Sequence, residues 1–129
     1  FTIAAVLERP LVIYGDGKQT RDLLHVDDLF KVYDAAERKI SISKGEIYNV
    51  GGGQANILSL LGLIAQLERL LGRKVQFTFS TIRPGDQKTF VADTRKCAEH
   101  LDWSPTITID EGLKNLYDWV VKHKSYFSC

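Results

Sequence analysis

The chain has 129 residues, enough for one domain or a large piece of a two-domain protein. Its 44% hydrophobic and 26% charged residues are the balance of an ordinary globular domain. The net charge is +1, with no basic run to track a phosphate backbone and no apolar stretch long enough to span a bilayer, which excludes nucleic acid and membrane as expected partners.

No signal peptide is visible. Cys97 and Cys129 are too few for a disulfide framework, and no second Cys lies at zinc-ligand spacing near Cys97, so no metal is expected and a reducing cytosol fits. The chain contains no methionine and opens on the apolar run Phe1 to Val6, which reads as the end of a helix or strand. We therefore expect residues 1–129 to be a fragment, the C-terminal portion of something longer.

Taken in order, Val12-Ile13-Tyr14 is a short β-rich run stopped by the tight turn Gly15-Asp16-Gly17. Leu23 to Val26 is expected as the next strand. Asp27 is expected to cap a helix whose inward face carries Leu29, Val32, Tyr33 and Ala36, with Arg38 and Lys39 at its C-terminal end. Glu46 to Val50 reads as a strand entering Gly51-Gly52-Gly53. A second helix starts near Ser59, turns Leu60, Leu63, Ile64, Leu67, Leu70 and Leu71 inward, and stops at Gly72. Val75, Phe77 and Phe79 alternate as a half-buried strand. A polar loop spans Thr81 to Asp86, an extended piece Thr89 to Ala92, and a short helix Thr94 to His100, capped by Asp93 or Thr94. Thr108-Ile109-Asp110-Glu111 is a capping box for a last helix with Leu113, Leu116, Tyr117 and Val120 buried. Strands alternate with helices, so the class is α/β. Too few parallel strands are present for a doubly wound sheet, so the sheet is expected to be an incomplete remnant.

Three constellations invite a chemical reading. Gly51-Gly52-Gly53-Gln54-Ala55-Asn56 follows a predicted strand, but Asn56 stands where a dinucleotide loop needs its third glycine, and no Lys follows as in a P-loop. Tyr14-Gly15-Asp16-Gly17-Lys18 matches the Tyr-x-x-x-Lys of short-chain dehydrogenases, yet that pair works only on a helix, and two glycines make a turn. Arg21 and Arg83 lie on or beside loops. Two guanidiniums could clamp a diphosphate with two-pronged contacts, while Asp86 accepts from ribose hydroxyls. The plainer alternative pairs Arg21 with Asp22 and Arg83 with Asp86 as surface ion pairs. His25 beside Asp27 and Asp28 is read as locally satisfied rather than as a metal ligand.

The ordered set Pro10 to Asp22, Val26-Asp27-Asp28, Tyr48 to Gly53, Ser59-Leu60-Leu61, Arg83-Pro84-Gly85-Asp86, Ala92 to Lys96, Trp103-Ser104-Pro105 and Tyr117-Asp118-Trp119 resembles the extended short-chain dehydrogenase family of nucleotide-sugar epimerases and dehydratases. Arg21 to Asp28, Gly52-Gly53 with Asn56 and Ser59, and Asp86-Gln87 are most similar to its CDP-tyvelose 2-epimerase branch. His25 and Asp102 depart from the Tyr and Gly that many relatives carry there. The resemblance implies the small C-terminal substrate-binding domain of an extended Rossmann-type enzyme. By position, the backbone at Val12 and Tyr14 would run along the nucleotide base, Arg21 and Arg83 would hold the diphosphate or ribose, and Asp86 would take ribose hydroxyls.

The same resemblance places the NAD-binding glycine loop and the catalytic Tyr-x-x-x-Lys before Phe1. No catalytic or cofactor-binding residue is then expected within 1–129, and the chain alone should be inactive. The expected reaction of the parent, an isomerase, is oxidation and re-reduction of a sugar carbon by NAD. The expected ligand is a nucleotide diphosphate sugar, a CDP-sugar foremost, and the expected assembly a homo-oligomer. Two alternatives stay open: a related 4-epimerase or dehydratase, and a non-catalytic nucleotide-sugar-binding module.

Overall fold

The computed structural model describes residues 1–127, and Cys129 lies outside the described residues. Two hydrophobic clusters organise two units. The first comprises Phe1–Thr20, Leu58–Thr89 and Asp110–Cys129, and the second Arg21–Ile57 and Phe90–Ile109.

In the first unit, the opening apolar run forms α1 (Thr2–Val6), and Leu11–Tyr14 forms β1. Along β1, Leu11 and Ile13 are buried and Val12 is exposed, the alternation that a strand's two faces impose. β1 pairs in parallel with β4 (Phe77–Ser80), in the register Leu11 to Phe77 through Tyr14 to Ser80. Helix α4 (Leu60–Leu71) starts where Ser59 Oγ accepts the Gly62 amide at 3.0 Å. It ends at Gly72, whose φ of 66° is the left-handed conformation that glycine adopts without Cβ strain. Its buried Ile64 and Leu67 meet Ala5, Leu11, Ile13, Val75 and Leu113, the last from α6 (Ile109–Lys122). Burial of each Leu, Ile or Val among these stabilises by roughly 1.5–3 kcal/mol.

The second unit is less regular. It contains α2 (Val26–Arg38), α3 (Ile40–Ser43) and α5 (Arg95–Leu101), with Val32, Cys97, Leu101 and Trp103 as core. Short strands β3 (Ile57–Ser59), β2 (Thr20–Asp22) and β5 (Thr89–Phe90), of which Ile57, Arg21, Asp22 and Phe90 fall within this unit, form a sheet in that order. The fold class is α/β, and the parallel pairing of β1 with β4 is far short of a doubly wound sheet.

Several expectations require correction. The strand expected over Leu23–Val26 lies earlier, at Thr20–Asp22, because the Leu23 amide is turned to Asn56 O (2.9 Å) and the chain then enters α2. The cap of α2 is His25, whose Nδ1 accepts from the Asp27 amide at 3.2 Å, so Asp27 sits in the first turn, where its charge suits the helix dipole. Residues 46–50 are not a strand. They are held instead by α5, through Lys96 Nζ to Ile47 O (3.0 Å) and Cys97 Sγ to Asn49 O (3.2 Å). Tyr33, Phe79 and Leu116, expected inside, are exposed.

Asp28 is fully buried at 0% exposure. Its Oδ2 accepts the amides of Thr106 (2.9 Å) and Ile107 (2.8 Å), and its Oδ1 accepts the Thr106 hydroxyl (2.9 Å) and Lys31 Nζ (3.0 Å). Burial alone would raise this carboxyl. The bonds from Ile107, Lys31 and Thr106 outweigh it and hold the pKa at about 2, against 3.8 for an ordinary aspartate.

A lowered folded-state pKa gives stability that is complete above the unfolded value and is lost as pH falls from about 4 through about 2. That difference amounts to roughly 2 kcal/mol. Urea titrations from pH 6 to pH 2 should show this loss, and Asp28→Asn should be less stable at pH 7 by about 2–3 kcal/mol with a flatter acid slope. An unchanged slope would contradict the assignment.

Candidate functional site

The sequence-predicted site residues are divided between the two units. Val12, Tyr14, Arg83 and Asp86 belong to the first and Arg21 to the second. In the first unit, Val12 has 47% of its surface exposed on the outer face of β1. Tyr14 closes the strand, and its carbonyl accepts Gln19 Nε2 at 2.7 Å. The turn that follows is kept tight by Gly15 and Gly17, both at positive φ. A Cβ at Gly17 would stand 2.8 Å from Leu61, so close packing as well as φ requires glycine there. Residues 14–18 are strand end and turn, not helix, so Tyr14 and Lys18 do not form a helical proton-transfer pair.

Arg83 emerges from the loop after β4. Its guanidinium carbon lies 3.8 Å from the centre of the Tyr14 ring, a cation–π contact between residues 69 positions apart in sequence. The Asp86 amide donates to Arg83 O at 3.1 Å, and Gly85 has φ 79°, which together close the loop. Stacking engages the flat face of a guanidinium and leaves the N–H groups in its plane available to a planar anion. In the sequence, Tyr14 is expected to act only through its backbone. No sequence signal marked its ring as the seat of Arg83, since the pairing depends on β4 lying beside β1.

In the second unit, Arg21 and Asp22 are neighbours on β2. Asp22 Oδ2 accepts two amides, from Gly53 and Ala92, each at 3.1 Å. The glycine run surrounds this carboxylate. A Cβ at Gly51 would fall 2.2 Å from Asp22 Oδ2 and 2.6 Å from Ala92 Cβ, and one at Gly52 only 1.9 Å from Leu23 O. Behind it, the buried Asn56 donates from Nδ2 to Ile107 O at 3.1 Å.

A groove of about 320 Å³ lies alongside, lined by Gly53, Gln54, Val91, Ala92, Asp93 and Thr94. Asp93 in its wall is held well below the usual carboxylate range, at about 2. The side-chain bond from Arg95 is the main cause and the Arg95 amide the next, so this carboxylate is not a proton acceptor near neutrality. Cys97 is buried, and burial pushes its thiol upward, which makes it a packing residue rather than a nucleophile. Among the described residues no group of three or more His, Cys, Asp or Glu could hold a metal ion. No helix among them is long and apolar enough to cross a membrane.

The model of the GDP-mannose 4,6 dehydratase family matches residues 2–116. The chain belongs to that family. It is 39% identical over 113 residues to a CDP-paratose 2-epimerase of Salmonella typhi, covering 88% of this chain and 33% of that protein. It is 38% identical over 112 residues to a UDP-glucuronate 4-epimerase of Thermodesulfobacterium geofontis, covering 87% of this chain and 33% of that one. The crystal structure of the Bacillus cereus UDP-glucuronic acid 4-epimerase, in complex with UDP-glucuronic acid and NAD, superposes with a TM-score of 0.85 at 33% identity, over 94% of this chain and 38% of that one. The chain thus spans about a third of the length of these curated relatives. The relatives are nucleotide-sugar epimerases, as the motif order led us to expect.

NAD, present in that B. cereus complex, does not fit the one glycine run that invites it here. The Gly53 amide is spent on Asp22, the Cβ positions of Gly51 and Gly52 are filled by neighbouring atoms, and the run enters a 3-10 turn (Gln54–Asn56) and strand β3 rather than a helix.

Proposed function

We propose that the chain is the nucleotide-sugar-binding portion of an NAD-dependent nucleotide-sugar epimerase, with a CDP-sugar as the favoured substrate and NAD held outside residues 1–129. In this reading Arg21 and Arg83 each give a guanidinium to the diphosphate, Asp86 accepts from ribose hydroxyls, and the β1 backbone at Val12 and Tyr14 runs beside the base. The observation that carries it is the stacking of Arg83 on Tyr14, which draws two of the five expected ligand-binding residues together across 69 positions. Identity to the CDP-paratose 2-epimerase supports the CDP-sugar and inversion at C2. A second reading, a 4-epimerase using a UDP-sugar, is favoured by the nearly equal 38% identity to the UDP-glucuronate enzyme. The buried free thiol of Cys97 suits a cytosolic setting.

Titration calorimetry with CDP and UDP on the full-length protein tests the ligand. Arg21→Ala and Arg83→Ala should each weaken nucleotide binding by about tenfold or more, the loss expected for a charge-assisted contact to phosphate. Unchanged affinity in both would refute the reading, and the tighter nucleotide chooses between CDP and UDP.

The 129-residue chain is proposed to be inert by itself, because it lacks a helical Tyr-x-x-x-Lys pair. Turnover of a CDP-sugar on addition of NAD would refute this.

Self-association is proposed as well. Val26, Phe30 and Tyr33 follow one another at helical spacing along α2 and are 68%, 71% and 67% exposed. Light scattering on the 129-residue chain should give a dimer or larger, shifted towards monomer by Phe30→Ser. A monomer at all concentrations would count against it.

A further inference from the structure

The glycine run and the Asp22 carboxylate form one device that the proposed function has not used. We infer that Asp22 is a positioning residue: it seats strand β2 so that Arg21 is presented, pre-oriented, to a diphosphate. This rests on the diphosphate reading of Arg21 and goes beyond it by naming what orients that side chain.

The two amides on Asp22 Oδ2 come from segments 31 and 70 residues away, so one carboxylate oxygen ties β2 to two otherwise separate stretches of chain. The seat excludes side chains, since a Cβ at Gly51 would sit 2.2 Å from that oxygen. One residue further on, the Leu23 amide donates to Asn56 O at 2.9 Å, and a Cβ at Gly52 would collide with Leu23 O. The end of β2 is therefore fixed at two successive residues.

Successive side chains of a strand point to opposite faces. Seating the Asp22 carboxylate on the Gly53 and Ala92 amides therefore commits Arg21 to the opposite face, and a slip by one residue would exchange the two. Arginine has a long, rotamer-rich side chain. Fixing its backbone in advance lowers the ordering cost of binding and favours two-pronged contact with phosphate oxygens. The glycine run that resembles a phosphate loop thus supports an anion site indirectly, by accepting the carboxylate that aims the arginine.

The test is a double-mutant cycle in the full-length protein, with CDP (or UDP if it binds more tightly) and the phosphate-free nucleoside as probes. Asp22→Ala should weaken nucleotide binding by about tenfold, and Asp22→Asn, which keeps an acceptor oxygen, by about threefold. Binding of the nucleoside should be unchanged in both. In an Arg21→Ala background, either Asp22 substitution should add less than about twofold, because the arginine it positions is gone.

Equal losses for nucleotide and nucleoside, or losses that simply add to that of Arg21→Ala, would overturn the inference and leave Asp22 a packing residue. If Arg21→Ala alone binds the nucleotide normally, the diphosphate reading itself fails, an outcome distinguishable from the first. Should Asp22→Ala not fold, Asp22→Asn carries the same comparison.

Discussion

Within the second unit, the polar interior decides the geometry. Asp28 has no exposed surface, and a carboxylate moved from water to such a place must recover its lost hydration through direct bonds. It does so with two backbone amides, a hydroxyl and an ammonium. The bonds to amides 106 and 107 tie the start of α2 to the stretch before α6. Asn56 extends the connection, donating to the carbonyl of Ile107 while its own carbonyl accepts Leu23. Asp22 completes it at Gly53 and Ala92. Three short polar side chains thus fix segments that have almost no regular secondary structure to hold them. In the first unit the β1–β4 ladder and the apolar face of α4 do the equivalent work.

The same economy is seen at two helix ends. Asp102 occupies a left-handed conformation, with φ of 52°, at the end of α5, where a glycine would carry no strain. Its carboxylate makes an ion pair with Lys39, a contact a glycine would lack, which offsets part of that strain. His25 caps α2 through its ring nitrogen, a local bond to the Asp27 amide. Both residues act at helix ends.

Legibility in the sequence followed how local the deciding forces were. Helix α4 could be read directly, since its Ser59 cap, leucine periodicity and terminal Gly72 all act within the segment. Strand β1 and its glycine turn could be read for the same reason. The strand placed at Leu23–Val26 failed because Leu23 and Asp22 answer to Asn56, Gly53 and Ala92, partners that no local window contains. Residues 46–50 have strand-like composition, yet the neighbour that claims them is a helix. Tyr33, Phe79 and Leu116 show that periodicity identifies an apolar stripe without saying how much of it is covered. The sequence offers the candidate site only as a set of residue types. The ring beneath Arg83 and the amides around Asp22 are not legible there, since both are products of tertiary placement.

Under the proposed reading the residues of this chain serve recognition rather than bond-breaking, and that division has an energetic consequence. A diphosphate is remote from the sugar carbon that reacts. Contacts made equally in ground state and transition state lower KM, and they raise the rate only if they fix the sugar's position. Flexible lysines would supply charge without fixing direction, whereas a guanidinium seated over the Tyr14 ring is already held in place before the ligand arrives. Arg21 gains a comparable constraint from its backbone, through the carboxylate beside it. On that reading both arginines would combine a charge-assisted phosphate contact with restricted orientation, which is what a binding element must supply if the chemistry takes place on another part of the protein.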